Sequence, residues 1–497
     1  MVFSSLLFLF RFFPAVLLLY FVPPAILRVF GKRGRGTSPE CDDDLPYRNV
    51  VLFLTSLVFY AWGEPVYVLL MLFSIAQNYA AGLAIARFQR AGKRGAAKAS
   101  LVLSLILGIG CLGYFKYADF AVTNFNLLLG HIAPGVCIPL PAVILPIGIS
   151  FYTFQTMSYT IDVYRGTVPA QKNPITFGTY VAMFPQLIAG PIVQYKTVEK
   201  ELSCRKTTRE GFSSGSLRFA AGLGKKVLLA NAIGLLWDSA SGSLASCSNT
   251  QPSVLLLWLG ALAYTFQIYF DFSGYSDMAI GMGRMFGFHF LENFEHPYLS
   301  ASVTEFWRRW HISLGAWFRD YVYIPLGGNR KGLARQLRNI LIVWALTGIW
   351  HGASWNFLIW GLYFGFFLIL EKLFLKKALS RLPKIVGVLY TFFLAVISWV
   401  IFACEDLGTC LSYLRGMFGL AGLPAVNDAG LFALSGYAVL FAILFLAASD
   451  LPARCYRVLV RHRGGRVLVL LAMAGILVLA AAFLVSDTYN PFLYFRF

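Results

Sequence analysis

The stretch ILIVWALTGIWHGASWNFLIWGLYFGFFLIL, residues 340–370, decides the fold. It is apolar apart from one histidine and a few uncharged polar residues, and basic residues flank it on both sides, Arg335 and Arg338 before it and Lys372, Lys376 and Lys377 after it. Basic loops stay on the cytoplasmic side of a membrane, so a single crossing would place one cluster outside. We therefore predict that the segment enters the membrane and returns, bending at residues 351–354. The alternative is one long tilted span.

The histidine of this segment is the first candidate for chemistry. From Ile340 to His351 a helix would rise about 16 Å, roughly half of the hydrocarbon thickness, which places His351 near mid-membrane. An ionisable side chain at that depth is costly and usually functional. A neutral imidazole in a cavity can take a proton from a hydroxyl that attacks an acyl carbon. We predict that His351 is catalytic rather than a structural histidine bonded to a backbone carbonyl.

The composition of the whole chain indicates an integral membrane protein. Hydrophobic residues make up 58% of it and charged residues 13%, and long apolar runs recur between residues 6 and 485. We predict an all-α polytopic protein with about a dozen helical passes or half-passes, since a membrane barrel would show short alternating segments. Residues 1–497 are expected to form one membrane domain, with an aromatic C-terminal tail at residues 486–497.

The positive charge of the chain points to membrane topology. The net charge is +19, but the basic residues cluster between apolar runs, which the positive-inside rule explains better than a nucleic-acid partner does. We expect six clusters to be cytoplasmic, at residues 28–35, 87–98, 196–226, 308–338, 372–384 and 454–466. This orientation places both termini outside the cell, with membrane lipids around the chain.

A second histidine lies in the stretch EFWRRWHISL, residues 305–314. Residues 302–338 mix aromatic and basic side chains, which is typical of helices at the cytoplasmic interface, with aromatics in the headgroup layer. The positive patch, which includes Arg308 and Arg309 beside Trp310, would attract an anionic donor such as coenzyme A or an acidic carrier protein. We predict that His311 positions this donor or polarises its carbonyl.

Other polar residues are weaker candidates. The run DFSGYSD supplies Asp271, Ser273, Tyr275 and Asp277, which could line a cavity, orient a histidine or pair with Arg284, or cap a helix at the surface. The amides of Asn329 and Asn356 could donate hydrogen bonds to a carbonyl oxygen. The eight cysteines are dispersed without metal-ligand spacing, so we expect small packing residues rather than disulfides or a metal site.

The last eight residues of the chain include four aromatic residues, among them Tyr494. The tail is expected on the outer face, where an aromatic anchor in the lipid interface is one explanation. A tyrosine beside the mouth of a cavity is the other, because its hydroxyl could accept an acyl group and present it outside.

Several motifs together resemble the membrane-bound O-acyltransferases, within them the branch that serves alginate and peptidoglycan O-acetylation. They are MVFSS (1–5), YFKY (114–117), LPIGISFY (145–152), IDVYRG (161–166), LIAGP (187–191), YFDFSGYSDMAIG (269–281), EFWRRWHISL (305–314) and PLGGNR (325–330). The family's catalytic histidine matches His351 and its second histidine matches His311. The tail is also similar to the Phe-x-Tyr-x-x-Phe ending of the small peptide in teichoic-acid D-alanylation, with Phe492, Tyr494 and Phe497 at the matching positions.

The resemblance implies a ring of about 11 to 13 helices around a tunnel in a bacterial cytoplasmic membrane, without a tightly bound cofactor. An acyl thioester, acetyl-CoA or an acyl carrier protein, would enter from the cytoplasm. The acyl group, expected to be acetyl, would pass through Tyr494 to an extracytoplasmic esterase-like (SGNH) transferase and then to an exported or cell-wall polysaccharide. We expect the substrates to contact Asp271, Ser273, Tyr275, Asp277, Arg308, Arg309, Trp310, Asn329, Trp350 and Asn356.

Two competing functions remain open at this stage. Broken helices and buried acids would also suit a transporter or flippase of an anionic substrate. The same acyltransfer chemistry could instead serve a lipid or protein acceptor.

Overall fold

Helices account for nearly all regular structure in the computed structural model, which describes residues 1–29, 41–133, 135–188, 190–244 and 250–486 together with Leu493. These ranges contain no strand. The helices are α1 (Phe13–Val29), α2 (Leu45–Ala61), α3 (Val68–Arg90), α4 (Arg94–Ile132), α5 (Ile149–Arg165), α6 (Pro174–Ala182), α7 (Phe184–Leu187), α8 (Tyr195–Ser203), α9 (Arg209–Gly224), α10 (Ala232–Gly242), α11 (Val254–Met285), α12 (Val303–Arg309), α13 (Ile312–Phe318), α14 (Leu333–His351), α15 (Trp355–Leu370), α16 (Lys376–Leu379), α17 (Lys384–Ala403), α18 (Leu407–Met417), α19 (Asp428–Ala448), α20 (Leu451–Leu459) and α21 (Arg463–Ser486).

Many of these helices suit a bilayer. Within the described ranges, nine helical segments are long and apolar enough to cross a membrane, and Leu45–Ala61 is a shorter apolar helix. The prediction of an all-α polytopic membrane protein is confirmed. Short π-helical turns interrupt the helices at Phe8–Phe12, Lys225–Asn231, Arg319–Tyr323 and Glu371–Leu375. Such turns concentrate at functional sites, and two of these four adjoin the candidate site described below.

The chain divides into two compact units, and the first comprises residues 1–219 and 278–291. In it α5 packs against α3 and α4 and is buried on almost every face. A glycine makes the close approach to α3 possible, because a Cβ at Gly82 would lie 2.5 Å from the hydroxyl of Tyr159.

A disulfide in this unit corrects one sequence-based expectation. Cys41 and Cys204 are bonded, with their Cα atoms 5.0 Å apart and 163 residues between them. The expectation that all cysteines are packing residues is wrong for this pair. Their spacing in the sequence gave no sign of it, since only the fold brings the residues before α2 next to the end of α8.

The second unit comprises residues 220–277 and 292–497 and contains the segment at residues 340–370. There α14 and α15 form an antiparallel hairpin that turns at residues 352–354. Glycines set how closely the two helices pack: a Cβ at Gly348 would lie 2.3 Å from the carbonyl oxygen of Phe357, and one at Gly361 would lie 2.3 Å from that of Trp344. The predicted bend of this segment is confirmed, and one continuous helix is excluded. That both ends of the hairpin lie on the same side of the membrane stays a prediction.

The aromatic and basic stretch forms short helices, α12 and α13, but its aromatic residues face the protein. The side chains of Trp310, Trp317 and Phe318 are each 4% exposed. The prediction that they lie in the headgroup layer is therefore wrong. These large apolar rings supply core packing, while Arg308 and Arg319 stay exposed.

Candidate functional site

His311 lies in the turn between α12 and α13, in a conformation that few residues adopt. Its backbone has φ +44° and ψ +54°, the left-handed region, which is strained for a residue with a side chain and is found at functional sites. The side chain is 2% exposed and its ring packs edge-on against Phe272, with 4.7 Å between ring centroids. The local fold thus directs the imidazole inward.

Asn293 holds this imidazole in one tautomer. Its Oδ1 accepts the backbone N–H of Ser313 at 3.2 Å, which identifies the oxygen of the amide because a backbone N–H can only donate. His311 Nδ1 lies 3.2 Å from the same oxygen, so it carries the proton and Nε2 is the acceptor. Burial lowers the pKa of His311 to about 3, and the ring is neutral at pH 7. A neutral ring in this tautomer does not polarise a carbonyl through Nε2, whereas it can position a donor.

His351 is held by packing. It is the last residue of α14 and is 7% exposed. Its ring centroid lies 4.9 Å from that of Trp350, 5.0 Å from that of Trp360 and 5.2 Å from that of Phe402. The neighbouring Gly352 allows the hairpin to turn here, since a Cβ on it would lie 2.2 Å from the ring of Phe357. The turn between α14 and α15 therefore places His351 among the rings of Trp350, Trp360 and Phe402.

The two histidines are connected through Trp350. Its ring contacts His351 and also lies 6.2 Å from that of His311, between centroids. The structure thus brings together the two predicted catalytic histidines and the predicted substrate contact Trp350, although they come from stretches 40 residues apart in the sequence.

A cavity of about 630 Å³ reaches His311, and we call it the histidine cavity. Its wall includes Trp307, Arg308, His311, Arg319, Tyr323, Val343, Trp344 and Thr347. Thr347 is four residues before His351 on α14, and residues at this spacing share one helix face. The cavity therefore follows the face of α14 that carries His351 to within one helical turn of it.

A second cavity of about 820 Å³ shares Thr304, Arg308, Tyr323 and Leu368 with the first, and we call it the basic cavity. Its charged wall residues are Arg308, Glu371, Lys372, Lys376 and Lys377, and the predicted contact Asn329 also lines it. Four cations thus face one carboxylate. Both volumes fall in the range of about 300–1,000 Å³ that small-molecule sites occupy.

Glu371, the carboxylate of the basic cavity, forms hydrogen bonds with the first residues of α12. It is buried and accepts the backbone N–H groups of Val303 at 2.6 Å and Thr304 at 2.9 Å. The hydroxyl of Thr304 also donates to it at 2.7 Å. Glu371 therefore fixes the beginning of α12, the helix that carries Arg308 to the cavity wall.

The run DFSGYSD lies inside α11, where its two carboxylates form ion pairs. Asp271 binds the ammonium of Lys226 at 2.7 Å, with both side chains at most 4% exposed. Asp277 binds Lys225 at 2.7 Å. Ser273 and Tyr275 are buried in the same helix. The pairing with two lysines of the basic cluster at residues 196–226 shows that Lys226, at least, is not a surface cation.

Other predicted contacts have structural partners. Trp310 packs in the core, 4.7 Å from Trp399 between ring centroids, and Arg309 pairs with Glu305. The side-chain nitrogen of Asn356 donates to the carbonyl of Cys404 at 2.7 Å. Tyr494 lies outside the described residues. In the part of the chain that is described, no group of three or more His, Cys, Asp or Glu side chains could hold a metal ion.

Two residues of this site were missed in the sequence. Asn293, which orients His311, stands in an unremarkable loop eighteen residues earlier. Lys226 was counted with a cytoplasmic cluster. A signal for Lys226 existed, because it is followed by VLLANAIGLLW, and a cation next to so apolar a run requires a partner.

Comparison with known proteins identifies the family. Residues 143–407 match the membrane-bound O-acyltransferase family. The chain is 43% identical over 451 residues to a probable alginate O-acetylase of Pseudomonas aeruginosa, covering 90% of this chain and 81% of that protein. It is 35% identical over 454 residues to a peptidoglycan O-acetyltransferase of Helicobacter pylori, covering 85% and 81%.

A more distant relative is a teichoic acid D-alanyltransferase of Bacillus subtilis, 26% identical over 275 residues, which cover 52% of this chain and 68% of that protein. The helical structure and the extent of these similarities agree with each other. The chain belongs to the membrane-bound O-acyltransferase family and is a multi-pass O-acyltransferase.

Proposed function

We propose that this protein moves an acetyl group from a cytoplasmic thioester across the inner membrane for O-acetylation of an exported or cell-wall polysaccharide, alginate or peptidoglycan. The observation that carries the proposal is the pair of adjacent cavities that share four wall residues, one of them basic and the other lined by His311. A phosphate-bearing thioester such as acetyl-CoA, or the phosphopantetheine arm of a carrier protein, has matching chemistry: anionic groups at one end and an uncharged acyl group at the other. The names of the relatives suggest the acetyl group and the polymer.

Each of the two cavities has a separate role in this proposal. Lys372, Lys376, Lys377 and Arg308 bind the phosphates of the donor. His311 accepts a hydrogen bond through Nε2 and positions the thioester arm in the histidine cavity. The acyl group lies near the face of α14 that carries His351.

The transfer step uses His351 as the base. The imidazole takes the proton of the Tyr494 hydroxyl as its oxygen attacks the acyl carbon. The carbon–sulfur bond breaks, and the leaving thiolate takes this proton from the imidazolium, which returns His351 to its neutral form. The acetyl ester of Tyr494 then passes to an extracytoplasmic esterase-like partner. Both chain termini lie outside the cell in this scheme.

The relay is tested in cells by Tyr494→Phe, which removes only the nucleophilic oxygen. We expect loss of polysaccharide acetylation with normal membrane insertion. Tyr489→Phe, in the same tail, is the matched control and retains acetylation. Unchanged acetylation in Tyr494→Phe discards the relay.

The donor site is tested by replacing Lys372, Lys376 and Lys377 with Gln. We expect a several-fold higher KM for acetyl-CoA and a weaker dependence of KM on salt, because three charges that attract the donor are lost. The control replaces Arg454, Arg457 and Arg461, exposed residues at and just after α20, and leaves KM unchanged. An equal effect of the two triple variants places the donor elsewhere.

A further inference from the structure

One carboxylate in the second unit bonds two partners that are far from it in sequence. Asp271 Oδ1 forms an ion pair with the ammonium of Lys226 at 2.7 Å, and Asp271 Oδ2 accepts the backbone N–H of Leu493 at 3.0 Å, 222 residues away. Lys226 also donates to Asn231 Oδ1 at 2.9 Å. A charge inside apolar helices is stable only when it is paired and hydrogen-bonded. Both oxygens of Asp271 therefore have a defined partner.

Leu493 belongs to the C-terminal tail, and its burial shows what this bond does. Its side chain is 6% exposed and belongs to the same buried cluster as Trp310, Trp360 and Phe402. Trp360 and Phe402 are two of the rings that enclose His351. At this residue the tail packs inside the protein, whereas a lipid anchor would leave the side chain exposed.

We propose that the Lys226–Asp271 pair is a docking site for the C-terminal tail, in which the ammonium fixes the carboxylate and the carboxylate fixes the backbone at Leu493. The next residue in the sequence is Tyr494, so an anchor at Leu493 restricts how far its hydroxyl can travel. Asp271 and Lys226 are thus positioning residues, and Asp271 acts through a backbone bond that tolerates any tail residue with an N–H. The importance of this docking for acyl transfer rests on the proposed role of Tyr494 as acyl acceptor, whereas the docking itself does not depend on that role.

A pair of double variants tests the docking. Lys226→Met with Asp271→Leu removes the acceptor, whereas Lys226→Met with Asp271→Asn removes the same charges and keeps an acceptor oxygen. Neither leaves a buried charge unpaired. Leu493→Cys is added to both double variants as a reporter of the tail, and its labelling rate with a maleimide is measured in purified protein. The exposed Cys137 and Cys455 are replaced by serine in all of these proteins.

We expect labelling of Cys at position 493 to be slow in the parent and in the Asn variant, and at least tenfold faster in the Leu variant. Equal rates in the two double variants overturn the docking site, whatever happens to acetylation. Faster labelling in the Leu variant supports docking even if Tyr494→Phe leaves acetylation intact, in which case only the relay fails.

A second measurement leaves the ion pair untouched. Leu493→Pro removes the donor N–H and Leu493→Met keeps it, and neither change lies in a membrane-spanning helix. Hydrogen–deuterium exchange of the C-terminal peptide should be slow in the wild type and in Leu493→Met and fast in Leu493→Pro. Exchange as fast in the wild type as in Leu493→Pro overturns the proposal.

Discussion

His311 and His351 differ in the contacts that surround each ring. His311 stands in a strained turn and is oriented by a hydrogen bond that its Nδ1 donates to a loop residue, Asn293. His351 ends a helix and is enclosed by Trp350, Trp360 and Phe402. A hydrogen bond fixes which nitrogen carries the proton, whereas aromatic packing fixes position and excludes water. The first suits a residue that positions a substrate, and the second suits a base whose proton must come and go.

The largest effect is expected from removing the rings themselves. His351→Ala should lower acetyl transfer by about 10²- to 10⁴-fold, the contribution of a general base. His311→Ala should cost less and act mainly on KM for the donor. The exposed His462→Ala is the control and should be silent. The rate of Tyr494 acetylation in purified protein at several acetyl-CoA concentrations measures this, and a larger loss of the maximal rate in His311→Ala than in His351→Ala reverses the assigned roles.

The packing of the hairpin gives the next largest effect. In Gly348→Ala the new Cβ would lie 2.3 Å from the carbonyl oxygen of Phe357, so α14 and α15 must separate. Overpacking of this kind costs about 1–3 kcal/mol, and it should lower both thermal stability and kcat. Gly475→Ala, where no atom lies within 4 Å of the added Cβ, is the helical control. Equal melting temperatures for the two variants would show that the close packing is unimportant.

A smaller effect is expected from removing the hydrogen bonds that orient His311. Asn293→Ala leaves His311 Nδ1 and Ser313 without their shared acceptor, and an unsatisfied buried group costs about 1–3 kcal/mol. We expect a higher KM for the donor with kcat reduced less. Ser276→Ala removes only the partner of the Asn293 side-chain nitrogen and should have a weaker effect. Asn293→Ala kinetics identical to wild type would remove Asn293 from the site.

The last expected effect concerns the pH dependence of stability. The pKa of His311 is about 3 in the folded protein and about 6.5 in an unfolded chain. The unfolded state therefore binds a proton that the folded state does not, and stability is lost as pH falls from about 6.5 towards 3. His311→Gln lacks this titration, so its melting temperature in detergent should fall less over that interval. Parallel curves for the two proteins would contradict the buried neutral ring.

The sequence predicted those parts of the fold that are marked by a repeated pattern or by a residue whose burial in the membrane is energetically costly. Apolar runs predicted the helices, and basic flanks with one histidine predicted the hairpin at residues 340–370. It failed where the answer depended on distant contacts. The Cys41–Cys204 bond, the orientation of His311 by Asn293 and the meeting of Lys226 with Asp271 all join residues that no periodicity relates. The aromatic residues at positions 310, 317 and 318 were misassigned because headgroup anchors and core rings have the same composition.

The orientation of the termini, the single-domain organisation and the ring around a tunnel remain predictions, as do the roles of the site residues. The roles of the two histidines are the easiest to distinguish, because His311 should affect donor binding and His351 should affect bond formation.

The most direct test of the account is the acetylation state of Tyr494 itself. Purified protein is incubated with acetyl-CoA in the absence of any extracytoplasmic partner, and the C-terminal peptide is analysed by mass spectrometry. We expect an acetyl group on Tyr494 in the wild type and none in His351→Ala. An acetylated Tyr494 at the wild-type rate in His351→Ala, or no acetyl group in either protein, would contradict it.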